Sequence, residues 1–113
     1  MVTQHTYRVI VRGRWDALTD ASRTALLADV EEHGLANMQF TPEGTLTYDR
    51  ALQHFSYRFV VRSDAADGEE MAEALAEEKA ESILKDVGHG FRDLRSKATD
   101  MDTMKINRKP SRR

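Results

Sequence analysis

Apolar and polar positions alternate twice along the chain, in the same order of residue kinds. Tyr7-Arg8-Val9-Ile10-Val11-Arg12 and Tyr57-Arg58-Phe59-Val60-Val61-Arg62 stand 50 residues apart and agree in kind at each position. A period of two is that of a half-buried strand, so the two stretches are expected to be central strands of one sheet. Tyr7, Val9 and Val11, with Tyr57, Phe59 and Val61, fall on one side, which becomes the core. Arg8, Ile10 and Arg12, with Arg58, Val60 and Arg62, fall on the other.

The intervening pattern supplies the remaining elements. The first strand covers residues 6 to 14, and Gly13 ends it or admits a bulge before Trp15, which is in phase with the core and is expected to cover its end. From Leu18 to His33 the spacing is helical, with Thr19 or Asp20 as N-cap and Leu26, Leu27 and Val30 on the buried side. Gly34 is expected to stop this helix in a left-handed conformation, closed by Leu35. Met38, Phe40, Leu46 and Tyr48 alternate with polar residues around Pro42 to Gly44. Proline removes a ladder donor, which favours residues 44 to 49 as the second strand and leaves open an extra strand over 36 to 41. Arg50 to His54 then forms a hairpin into a third strand, residues 55 to 63. A polar turn leads into a helix over Glu69 to Val87, whose buried face is expected to hold Ala72, Leu75, Ala76, Ala80, Ile83 and Val87. Gly88-His89-Gly90 ends it, and a fourth strand lies within Phe91 to Thr99, where Asp93, Arg95 and Lys97 alternate with less polar residues.

Strand, helix, strand, strand, helix, strand is the order of an α+β, ferredoxin-like βαββαβ sandwich, a four-stranded antiparallel sheet with two helices on one face. Residues 1–104 are read as that domain. Residues 105–113 carry five cations and are read as a basic, disordered tail. Two helices can cover only one face, so the face bearing Arg8, Arg12, Arg58, Arg62, Arg95 and Lys97 is expected to meet water or a partner.

Composition narrows the function classes. A formal net charge of -2 argues against a general nucleic-acid binder, although it averages a basic sheet face, an acidic helix and a basic tail. The absence of cysteine excludes disulfides, thiolate metal sites and cysteine nucleophiles. No apolar run reaches the roughly 18 residues of a membrane span and the start has no secretory pattern, so a cytoplasmic protein with no membrane partner is expected.

The arginine-bearing face is the candidate binding site, and no catalytic residue or cofactor is assigned. It suits self-association as a homodimer, or an acidic small molecule or protein segment. The competing reading is a solvated face whose arginines are offset internally by Asp49 and Asp93. A second class is an enzyme acting on an anionic metabolite at a dimeric αβ-barrel-type site, with Asp100, Asp102 or His89 as acid-base groups. A third is weak single-stranded RNA binding, but the central open-face positions hold arginine and aliphatic residues where RNA-recognition sheets place aromatics. His5, His33, His54 and His89 are scattered, so no metal is expected.

Val11-Arg12-Gly13-Arg14 resembles the end of the first strand in acylphosphatases. The loop that follows holds Asp16 and Asp20, which would repel a phosphate, and Phe40 stands where those enzymes place an asparagine. Taken whole, the chain resembles a family of small uncharacterised proteins from high-GC bacteria. The similar parts are Tyr-Arg-Val-x-Val-Arg-Gly near the start, Gly44 to Asp49 with Phe55 to Arg58, and Ala98 to Lys105. That resemblance implies the fold and brings no catalytic residue.

Overall fold

The computed structural model of the chain describes residues 3–102. The elements are β1 (Gln4–Trp15), α1 (Asp20–Ala28), β2 (Thr45–Tyr48), β3 (His54–Asp64), α2 (Gly68–Val87) and β4 (Phe91–Asp100). The four strands form one sheet in the order β2-β3-β1-β4, with every neighbouring pair antiparallel. The protein is thus α+β, with a four-stranded antiparallel sheet and two α-helices. The tail expected over 105–113 lies outside the described residues.

The twin stretches pair directly, as β1 and β3, from Gln4↔Asp64 to Arg14↔His54. Their shared alternation buries Tyr7, Val9, Val11 and Trp15 from β1, and Phe55, Tyr57 and Phe59 from β3. Leu26 of α1, with Ala72, Ala76, Ala80 and Leu84 of α2, closes the same core. Alanine at every fourth position presents little side chain, so the backbone of α2 can lie close to the sheet. The buried stripe differs from the expected one at its edges. Leu75 is 41% and Val87 56% exposed, while Leu84 is fully buried. Lys79 sits at the edge and donates from Nζ to the Pro42 carbonyl at 2.7 Å, with its ammonium 5.9 Å from the Phe59 ring.

Helix α1 starts where expected, since the Thr19 side chain accepts from the Ser22 N–H at 3.0 Å. It stops five residues early. After Ala28 the chain tightens into 3₁₀ turns at Val30–His33 and Leu35–Asn37, and Gly34 is extended at φ -85° and ψ -178°, not left-handed. At this end the Leu26 carbonyl accepts both from the Asp29 N–H at 3.3 Å and from the buried Tyr48 hydroxyl at 2.6 Å, a long-range bond that ties the last turn to β2. Helix α2 does end on a left-handed glycine, Gly88 at φ 79°, whose N–H reaches the carbonyls of Leu84 and Lys85.

Residues 36 to 41 form no regular extra strand. Thr41 alone makes a parallel bridge to Phe59, accepting from the Val60 N–H at 2.8 Å. Just before it, Met38 and Phe40 lie over the face of the sheet away from the helices, where Phe40 shares a groove with Arg8, Ile10, Lys97 and Thr99. The arginine-bearing face is therefore crossed by a short strap, where the sequence left open an extra strand over 36 to 41.

Candidate functional site

Strand pleating places Arg8, Ile10, Arg12 and Arg14 of β1 on the strap side, beside Ser56, Arg58, Val60 and Arg62 of β3. Between these two strands the cations are staggered. Arg8 stands opposite Val60, Arg58 opposite Ile10, Arg12 opposite Ser56 and Arg62 opposite Thr6. Toward β4 the stagger fails, and Arg12 faces Arg95 while Arg14 faces Arg92. The register slips between these two pairs, and on the β4 side of the slip Asp93 takes a left-handed conformation at φ 59°.

The strap divides the face into two open grooves that share Arg12. One, of about 370 Å³, is bordered by Arg12, Arg14, Arg95 and Asp93, with Met38 and Thr47 among its walls. His54 and Ser56 also line it. The other, of about 390 Å³, is bordered by Arg8, Arg12 and Lys97, with Ile10, Phe40 and Met101 as apolar walls. The Arg8 guanidinium lies 5.1 Å from the centre of the Phe40 ring, a cation–π arrangement that fixes the strap to the sheet.

The six residues singled out from the sequence do not all meet. Arg8, Arg12, Arg95 and Lys97 border the grooves. Arg58 flanks them and donates from Nη1 to Ser56 Oγ at 2.8 Å. Partial burial, and then the Arg12 guanidinium, lower its pKa below the ordinary arginine value. Arg62 lies toward the α2 edge, in a separate depression with Pro42, Leu75 and Lys79. Sequence spacing did not bring in Met38 or Thr47, whose place on this face depends on where the strap and β2 run.

The internal offset expected from Asp49 and Asp93 does not form among the described residues. Among the described residues, Arg8, Arg12, Arg14, Arg58, Arg62, Arg95 and Lys97 make no ion pair. Asp49 instead accepts from the Ala51 N–H at 3.1 Å, and among the described residues Asp93 reaches Arg92 alone, at 3.9 Å. Thr47 Oγ1, in a residue that is 8% exposed, is buried and has no hydrogen-bond partner among the described residues.

The histidines are less scattered than their spacing suggested. His5, Asp100 and Asp102 bring ligand-type atoms within 4.8 Å of one another. His5 Nδ1 lies 2.8 Å from Asp100 Oδ2, the Thr6 N–H donates to Asp102 Oδ2 at 2.9 Å, and the Asp102 N–H donates to Asp100 Oδ1 at 3.0 Å. These bonds fasten the end of β4 to the start of β1. The hydrogen bond to Asp100 raises the His5 pKa above 6.5 against the opposing effect of desolvation. His89 is placed elsewhere again, 2.9 Å from Ser22 Oγ and edge-on to Trp15. Its burial lowers its pKa. None of Asp100, Asp102 and His89 lines either groove.

Fold and face together define a small α+β protein whose single sheet carries a strapped, cationic surface. Residues 1–112 match the model of a family of unknown function, DUF6204, and the chain belongs to that family. No curated protein and no solved structure matches it. No described helix is long and apolar enough to cross a membrane.

Proposed function

We propose that the strapped sheet face binds a small anionic ligand with an apolar body, and that the protein is a cytoplasmic, non-enzymatic binding domain. One observation carries this reading. The cations bordering the two grooves have no ion pair among the described residues, and they stand beside apolar walls of Met38, Phe40 and Ile10. Unpaired like charges in direct register, such as Arg12 and Arg95, destabilise a sheet until an anion offsets them. A guanidinium offers paired donors suited to a carboxylate. The strand order β2-β3-β1-β4, with α1 between β1 and β2 and α2 between β3 and β4, supports the ferredoxin-like reading of the fold.

The alternatives fit the geometry less well. A homodimer made face to face would set one arginine-bearing face against another, so it requires bridging anions at the interface. The acid-base candidates of the enzymatic reading stand outside the grooves. For RNA, the aromatic ring that the strap lays over the face, Phe40, is already under Arg8.

Thermal melts of the wild type and of the Arg12→Gln/Arg95→Gln variant, with added 3-phenylpropionate at constant ionic strength, test the reading. The expected result is a concentration-dependent rise in Tm for the wild type alone, because a ligand that binds only the native state stabilises it. No rise, or an equal rise in both proteins, contradicts the proposal.

A further inference from the structure

Resting on the anion-binding reading, we infer that the groove between Arg12, Arg14, Arg95 and Asp93 takes a zwitterion, an α-amino acid with an apolar side chain. The Arg side would hold the carboxylate, Asp93 the ammonium group, and Met38 the apolar body.

The inference starts from Asp93. It stands at the register slip in β4, in a left-handed backbone conformation that aspartate tolerates better than most residues. Such irregularities re-aim a side chain, and here Asp93 becomes part of the groove wall. Its nearest cation among the described residues is Arg92 at 3.9 Å, the outer limit of an ion pair. Thus one groove presents three guanidinium groups and one carboxylate, and no described bond joins them.

A site built for a polyanion would gain nothing from that carboxylate. Asp93 repels a second negative charge on a pyrophosphate or a nucleic acid, but it complements an ammonium group close to a carboxylate. Thr47 adds a second, independent observation. It lines this groove, and its hydroxyl, buried beneath the surface, has no hydrogen-bond partner among the described residues; an unpaired buried polar atom is costly, and a small side-chain adjustment toward the groove would let a ligand satisfy it. A volume of about 370 Å³ suits a ligand of amino-acid size, and Met38 supplies an adaptable apolar surface.

The test is calorimetric titration of the full chain with L-phenylalanine, 3-phenylpropionate, phenethylamine and pyrophosphate, for wild type, Asp93→Asn and Arg95→Gln. Asparagine tolerates the same backbone conformation, so Asp93→Asn keeps the bulge. The wild type is expected to bind phenylalanine most tightly. Asp93→Asn should weaken phenylalanine about tenfold and leave 3-phenylpropionate unchanged or tighter, whereas Arg95→Gln should weaken both. If 3-phenylpropionate or pyrophosphate binds the wild type as tightly as phenylalanine, and Asp93→Asn does not separate the ligands, the zwitterion inference falls and anion binding stands. If phenethylamine binds best, or if none of the four binds, both readings fall.

Discussion

Arg12 and Arg95 face each other in direct register across the β1–β4 ladder, and no described carboxylate is paired with either. Cross-strand pairs of this kind repel, at a cost of about 0.5 kcal/mol. Replacing Arg95 with Gln should therefore stabilise the ligand-free protein by roughly that amount in urea denaturation at low salt. The gain should shrink toward zero as salt screens the pair. A loss of stability at every salt concentration would mean that the stem of Arg95 matters more than its charge.

Phe40 is held against the sheet by Arg8, and it separates the two grooves. Phe40→Ala removes the cation–π contact, worth about 0.5 to 1 kcal/mol at an exposed site, and one apolar wall. Denaturation should show a loss of about 1 kcal/mol, and the second groove should lose its selectivity for aromatic over aliphatic carboxylates in a binding titration. Unchanged stability and selectivity would detach the strap from the site.

Two glycines separate the observed turns from the expected ones. Gly44 sits at φ 94° with a would-be Cβ directed into the Phe59 ring, so Gly44→Ala should cost about 2 kcal/mol or more. Gly34 is extended, and its Cβ would meet nothing nearer than the Glu31 carbonyl oxygen at 3.7 Å. Gly34→Ala should be neutral or stabilising by up to about 1 kcal/mol. A large loss there would restore the left-handed helix stop.

His5 holds its proton more tightly in the folded chain than in the unfolded one, chiefly through its hydrogen bond to Asp100. Its contribution to stability is therefore fully present below the unfolded pKa of 6.5 and is lost as the pH rises through the raised folded value. Relative to His5→Gln, the wild type should lose stability on passing from mildly acidic to mildly alkaline buffer. An NMR titration placing the His5 pKa at or below its ordinary value would remove this dependence.

Much of this was legible because a strand's period of two leaves little freedom. Once Tyr7 and Tyr57 were placed inward, Arg8, Arg12, Arg58 and Arg62 had to lie on the other side. The elements that differed from expectation depend on contacts distant in sequence. The last turn of α1 is bonded to Tyr48, 22 residues from Leu26, and the meeting of His5 with Asp100 spans 95 residues. Met38 and Phe40 alternate as strand residues do, and nothing local distinguishes a paired strand from a strap laid over a sheet. Leu75, expected in the core, is exposed and Leu84 is buried for a geometric reason: both fit a helical apolar face, and only the seating of α2 on the sheet selects between them.

The most direct measurement is an amide NMR titration of the wild type with 3-phenylpropionate. Anion binding at the strapped face predicts saturable shifts concentrated at residues 12–14, 38–40, 54–56 and 93–97, with the outer surface of α2 unmoved. Shifts centred on α2, or no saturable shift at any residue, would contradict it.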